Sequence, residues 1–125
     1  MTSEAAVQQE IRLEASKRGI TLMRNNNGAC KDQTGRQIRY GLMNDSAKLN
    51  KKIKSSDLIG ITPVIITQNM VGQKIGIFTA VEVKHSGWRW RGDDRELAQQ
   101  KFGDLVVSKG GIFMFAQSVE DVFGG

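Results

Sequence analysis

Lys74-Ile75-Gly76-Ile77-Phe78-Thr79-Ala80-Val81-Glu82-Val83-Lys84 is the stretch on which the fold reading turns. β-Branched and apolar residues dominate it, as they do Ile61-Thr62-Pro63-Val64-Ile65-Ile66-Thr67-Gln68. Asn69-Met70-Val71-Gly72-Gln73, between them, has the composition of a turn. The pattern predicts a hairpin folded about residues 69–71. Ser56-Asp57-Leu58-Ile59-Gly60 would enter its first strand, and position 57 would fall opposite positions 82–85. Side chains alternate along a strand, so Glu82 and Lys84 share a face, roughly 7 Å apart at a rise of ~3.3 Å per residue. Val81 and Val83 take the other face. Two carboxylates and a lysine gathered in this way can hold a divalent metal and orient a water against a phosphodiester. Singly, each element has a plainer reading. E-x-K on a strand is commonly a solvated ion pair, and Asp after Ser at a strand start is commonly turn chemistry. Their conjunction in a basic chain points to phosphodiester chemistry.

The chain has 125 residues, the length of one domain with a core of its own, so a single domain over residues 1–125 is expected. No run of about 18 apolar residues is present, which excludes a transmembrane helix. Met1-Thr2-Ser3-Glu4 lacks the basic start and apolar stretch of a secretory signal. Cys30 is the one cysteine, which excludes an internal disulfide and a multi-cysteine metal site, and His85 is the one histidine, which argues against a zinc site. A reducing, cytoplasmic setting is expected, in a bacterial or phage-infected cell. Lysine and arginine outnumber the acids 18 to 13, for a net charge of +5, which favours an anionic partner. The bases cluster on both sides of the acids: Lys48, Lys51, Lys52 and Lys54 before Asp57, and Lys84, Arg89, Arg91 and Arg95 after Glu82.

A helix is predicted over residues 3–18. Ser3 caps it, Val7, Ile11 and Ala15 form its apolar stripe, and Gly19 ends it. Glu4 falls on that stripe and is either a cap or a site residue; Glu14 falls near it too. A strand follows over 20–25, then a long polar loop over 26–55 with a short strand at Ile38-Arg39-Tyr40-Gly41. After the hairpin, His85-Ser86-Gly87-Trp88-Arg89-Trp90-Arg91-Gly92 reads as a loop. A second helix over 93–109 opens on a capping box, Asp93 with Glu96, and buries Ala98, Phe102, Leu105 and Val106. Ile112 to Ala116 is a short buried strand, and Ser118 caps a last helical turn from Val119 to Phe123. The expected fold is α/β: a mixed central sheet flanked by helices.

This order and these motifs resemble the PD-(D/E)XK nuclease superfamily. Within it the chain is similar to the VRR-NUC branch, the virus-type replication-repair nuclease domain. The resemblance runs through Glu4-Ala5-Ala6-Val7-Gln8, Arg24-Asn25-Asn26-Asn27-Gly28-Ala29, Arg39-Tyr40-Gly41, Ser56-Asp57-Leu58-Ile59-Gly60, Glu82-Val83-Lys84, and a glutamine followed by Phe102 and Gly110-Gly111. Ser56 stands where the superfamily name has proline, a departure this branch tolerates. The resemblance implies a single restriction-endonuclease-like domain. It implies Mg²⁺ or Mn²⁺ held by Asp57, Glu82 and the carbonyl of Val83, with Glu4 completing the shell directly or through water. Lys84 would position the attacking water or stabilise charge on the phosphorane.

The glutamine is Gln99 or Gln100. With Ala98 at zero on a helical wheel, the other apolar residues lie within about 80°, Gln99 near ~100° and Gln100 near ~200°. Gln99 also has the spacing to Phe102 and Gly110 expected of the family, and is the choice. Arg24 and Asn25 end a strand and either contact phosphate or serve as a cap or solvent residue; Arg39, Lys51, Lys52, Lys54, Arg89 and Arg91 are the further candidates for nucleic-acid contacts. Trp88 and Trp90 read as a stacking wedge or as packing or dimer contacts.

Two classes of function follow. One is a metal-dependent endonuclease for branched DNA such as a Holliday junction, acting as a homodimer in repair or recombination. The other is a catalytically silent nucleic-acid-binding module on the same fold. In both, the basic loops displace counterions from phosphates. Neutralising Lys51, Lys52 and Lys54 together should flatten the slope of log K against log salt by about 0.9 for each lysine that meets a phosphate on duplex DNA. Titration of binding to duplex DNA at several salt concentrations measures this; an unchanged slope would place the DNA elsewhere.

Overall fold

The computed structural model describes residues 3–124. They form a mixed α/β protein of two compact units that divide between Gly60 and Ile61. In the first, helix α1 (Glu4–Lys17) is capped by Ser3, whose hydroxyl accepts from the Ala6 amide. It packs on β1 (Thr21–Arg24). Ala15 is buried as the stripe predicts, whereas Val7 and Ile11 are only half covered, because an open cleft lies along that side of the helix.

The polar stretch expected as a loop contains three further elements. β2 (Gly28–Lys31) and β3 (Gln37–Tyr40) form an antiparallel hairpin, with Gly28 opposite Tyr40 and Lys31 opposite Gln37. Asp32 makes its turn by accepting from the amides of Thr34 and Arg36. Helix α2 (Ala47–Lys52) follows, capped by Ser46. β3 answers to the short strand expected at residues 38–41, one residue earlier; β2 and α2 are short and polar, so periodicity does not reveal them.

The predicted long hairpin is not formed. β4 (Leu58–Ile61) stops where Pro63, with no amide hydrogen, would have to join a ladder. Residues 62–78 hold only a 3₁₀ turn at Gln68–Met70, and β5 (Thr79–Val83) begins beyond them. The partner of β4 is β1: Asn25 stands beside Asp57 and Thr21 beside Gly60, the order of an antiparallel pair. Gly60 is required there, because a Cβ would strike the Thr21 carbonyl. The partner of β5 is β6 (Ile112–Ala116), in parallel, with Glu82 beside Phe115. The described residues therefore form three two-stranded sheets rather than one central sheet.

In the second unit, β5, helix α3 (Asp94–Ser108) and β6 make a β-α-β unit, and α4 (Val119–Phe123) packs on β6. The capping box is present in full, Asp93 accepting from the Glu96 amide and Glu96 from the Asp93 amide. The inward face of α3 differs from the apolar stripe. Glu96, Gly103 and Val106 are buried, while Phe102 and Leu105 are each 38% exposed and Ala98 is exposed. The face is turned by about 90° on the wheel, because two of its positions carry polar groups with partners and one a glycine. No described helix is long and apolar enough to cross a membrane.

Gly103 is the closest approach of α3 to the sheet: a Cβ there would strike the Phe113 ring. Phe113 lies edge-on to both Phe102 and Phe115 and has little room to move. Alanine at a helix interior ordinarily gains about 1 kcal/mol over glycine. Gly103→Ala should instead destabilise by roughly 1–3 kcal/mol, the usual cost of overpacking. A fall in the urea midpoint at unchanged m-value is the expected reading.

Candidate functional site

On β5 the alternation read from the sequence is present. Ala80, Glu82 and Lys84 are half-buried while Val81 and Val83 are exposed. The polar side is thus the covered one. Phe113 and Phe115 lie beside Ala80 and Glu82 in the parallel register and share that face, and Phe113 meets Gly103 and Phe102 of α3.

Lys84 follows the last residue of β5, and its amide continues the ladder by donating to the Ala116 carbonyl at 2.8 Å. Its ammonium donates to Gln99 Oε1 at 2.8 Å and lies 5.5 Å from the centroid of the Trp88 ring and 5.8 Å from that of Phe115. Gln100 turns along the helix instead and donates to Asp104 at 3.0 Å. Among the described residues the Glu82 carboxylate has no hydrogen-bond or ion-pair partner.

The residues of the first unit gather around Asp57. Its carbonyl accepts from the Asn25 amide at 2.8 Å, and its carboxylate has no partner among the described residues. Asp57 and Glu4 line one open cleft of about 510 Å³, with Val7, Ile11 and Leu58 as its apolar wall. Arg24 and Tyr40 line a second with Asp57, also of about 510 Å³. Arg39 and Lys54 line a third, of about 450 Å³, again with Asp57. Asn25 is buried and its amide is engaged within the protein: Nδ2 donates to Ser55 Oγ and the Ser56 carbonyl, each at 2.8 Å, and Oδ1 accepts from Leu42. It fixes the chain that enters at Asp57.

Lys51 and Lys52 are exposed on the last turn of α2, and Lys54 donates to Asn50. Arg89 is exposed, and Arg91 reaches Asp93 at 3.8 Å. Trp88 is half-buried and stacked on Phe115 at 5.3 Å, whereas Trp90 meets the same ring edge-on and stays half-exposed.

Carboxylate and carbonyl oxygens are the donors that Mg²⁺ and Mn²⁺ take. Among the described residues the carboxylates of Asp57, Glu82 and Glu4 have no protein partner, so the donor chemistry of each unit suits these ions. Among the described residues no three His, Cys, Asp or Glu side chains form a group that could hold a metal.

The sequence reading missed two residues that shape these surroundings and one role of a third. Asn44 is buried, donates to the carbonyls of Gly28 and Tyr40, and accepts from Arg39. Gln117 holds the tryptophan loop by accepting from the Gly87 amide and donating to the Trp88 carbonyl. Glu96, legible only as a cap, also accepts from Trp88 Nε1 at 2.8 Å and the Arg91 amide at 2.8 Å. No protein-family model matches the chain, and no curated protein or solved structure matches it.

Desolvation pushes the Glu96 pKa up, but the hydrogen bonds from Arg91, Trp88, Asp93 and Gly92 outweigh it and hold the carboxyl below its ordinary value. A carboxylate depressed on folding stabilises the protein fully above its unfolded pKa, and that contribution is lost as pH falls through the folded value. Wild-type stability should therefore decline as pH drops below the ordinary value of 4.5. Asp32, lowered chiefly by the Thr34 hydroxyl, declines in the same acid range and is common to both proteins compared. Glu96→Gln should show a shallower acid limb than wild type in denaturant titrations across that range. Parallel limbs would contradict the assignment.

Proposed function

We propose that the protein is a metal-dependent endonuclease of the restriction-endonuclease-like class, acting on branched DNA. The observation that carries this reading is the pairing on β5. Glu82, a carboxylate with no partner among the described residues, shares a strand face with an ammonium, Lys84, that is held by the neutral amide of Gln99. A surface ion pair would put the lysine on an acid; here its ammonium meets a neutral amide oxygen. Lysine has three donors and one is used, so two remain for a phosphate oxygen or the attacking water.

In this reading the oxygens that Mg²⁺ or Mn²⁺ would take are those of Asp57 and Glu4 in the first unit and of Glu82 and the Val83 carbonyl in the second, and the ion would supply charge stabilisation at the phosphate and acidify a bound water. Water adds to phosphorus, one P–O bond of the backbone breaks, and the departing oxygen takes up a proton. Lys84 stabilises the negative charge that grows on the phosphoryl oxygens as this happens. Gln99 keeps Lys84 in place. Arg24, Arg39, Lys51, Lys52, Lys54, Arg89 and Arg91 supply backbone contacts along the strands. A four-way junction needs two symmetric cuts, and a homodimer offers two sites related by a two-fold axis. One free, exposed cysteine accords with a reducing cytoplasm.

The alternative is a module that binds nucleic acid without cutting it. The exposed Lys51, Lys52 and Arg89 would serve that reading equally. A cleavage panel separates the two: duplex, single-stranded, flap and four-way DNA, each with Mg²⁺, Mn²⁺ or EDTA. The nuclease reading expects metal-dependent cutting, greatest on the four-way junction. Asp57→Ala, Glu82→Ala and Lys84→Ala should each lower it by at least on the order of 10²–10³-fold with DNA binding retained. Gln99→Ala should cost more than Gln100→Ala. Full activity in Glu82→Ala would sink the assignment, and one monomer per junction by light scattering would remove the dimer.

A further inference from the structure

We infer that Glu96 is a positioning residue for Lys84, acting through the Trp88 ring. The inference rests on the nuclease reading for what Lys84 does to a phosphate, but not for how Lys84 is held.

A lysine side chain is a flexible stem ending in a point charge. Holding it at one place needs contacts on more than one side. Gln99 provides one, at 2.8 Å, and the Trp88 and Phe115 rings provide two more, with the ammonium 5.5 Å and 5.8 Å from their centroids. The rings attract the cation through their electron-rich faces and do not neutralise it. Trp88 therefore has to stay put.

Several contacts make it stay, among them its own amide donating to the His85 carbonyl at 3.1 Å. It stacks on Phe115 with 23° between the planes, its carbonyl accepts from Gln117 at 2.9 Å, and its indole N–H donates to Glu96 Oε2 at 2.8 Å. Glu96 is 3% exposed. Its other oxygen accepts from the amides of Arg91 and Asp93, at 2.8 and 3.3 Å. The acid of this cluster is thus engaged by N–H groups and makes no ion pair with Lys84. Glu96 and Gln99 lie one turn apart on the same side of α3, so one helix face sets both the ring and the amide that hold the ammonium.

The requirement is for a side chain that accepts at both ends. Glutamine accepts at one end and donates at the other. In Glu96→Gln either the indole N–H or the backbone amides would face an NH₂ donor. Replacing Trp88 by Phe as well removes the indole donor while keeping a ring on Phe115. Glu96→Gln/Trp88→Phe should therefore recover part of what Glu96→Gln loses.

Two readouts are needed. The first is the ε-methylene proton shift of Lys84 in the full-length protein, which the ring currents of Trp88 and Phe115 move upfield. Glu96→Gln and Trp88→Ala should each return it towards the value of an exposed lysine, and the double variant should recover part of the shift. The second is single-turnover cleavage of a four-way junction with Mg²⁺. It should slow about 10- to 100-fold in Glu96→Gln, the cost of a displaced group, with the Kd for the same junction in EDTA unchanged.

If Glu96→Gln folds and melts earlier but leaves the Lys84 shift in place, Glu96 is only a cap and the inference is overturned. An additive loss in the double variant overturns it too. If Glu96→Gln does not fold, Trp88→Ala decides: an unmoved Lys84 shift rejects the platform, and a moved one supports it. A wild-type protein that cuts nothing overturns the nuclease reading, while the proton shift still decides the positioning.

Discussion

The second unit is organised by the need to hold an ammonium, that of Lys84, on the covered face of a strand. Charged groups leave water only when polar or ionic partners replace it. At β5 the replacement is shared between elements: an amide from α3 for Lys84, aromatic faces from the loop and β6 around it, and the loop itself tied down by Glu96 and Gln117. The glycine at 103 belongs to the same arrangement. It lets the helix approach Phe113, which brings Gln99, one turn earlier, within reach of the strand. Each of these choices departs from an ordinary amphipathic helix on a sheet, and together they explain why the inward face of α3 carries polar residues.

The first unit meets a related constraint with asparagines. Segment 41–57 is irregular apart from α2, and its backbone groups need partners where they are covered. Asn25 and Asn44 supply several from two fixed points: one amide reaches Ser55, Ser56 and Leu42, the other Gly28, Tyr40 and Arg39. The Asn25 backbone amide also donates to the Asp57 carbonyl, so a structural latch and a candidate metal ligand are adjacent where β1 ends and β4 begins. This is why a polar side chain that reads as a phosphate contact is turned inward.

Local features were the most legible. Ser3 and the Asp93–Glu96 box mark the helix starts where they occur, because a cap is a contact between residues three apart. The placement of Glu82 and Lys84 on one side of β5 also follows from the chain alone, through the two-residue repeat of a strand. The wheel put Gln99 at the edge of a buried face, and Gln99 does meet Lys84, although the face itself is turned away from the apolar stripe. The hairpin was misread because apolar composition gives strand propensity but not strand partner. Pro63 was the warning against a continuous ladder.

What the sequence determined by itself is what depends on neighbours a few residues apart: helix starts and stops, strand alternation, the basic character of the chain, and the types of oxygen and nitrogen donors it can offer. Only the tertiary structure decided which strands pair, since a ladder joins segments distant in sequence and any apolar strand can serve as a partner. It alone decided that β4 takes β1 and β5 takes β6. It alone gave Glu96 its second role, because the indole that the carboxylate accepts from is brought to it by the packing of Trp88 on Phe115 rather than by any pattern along the chain.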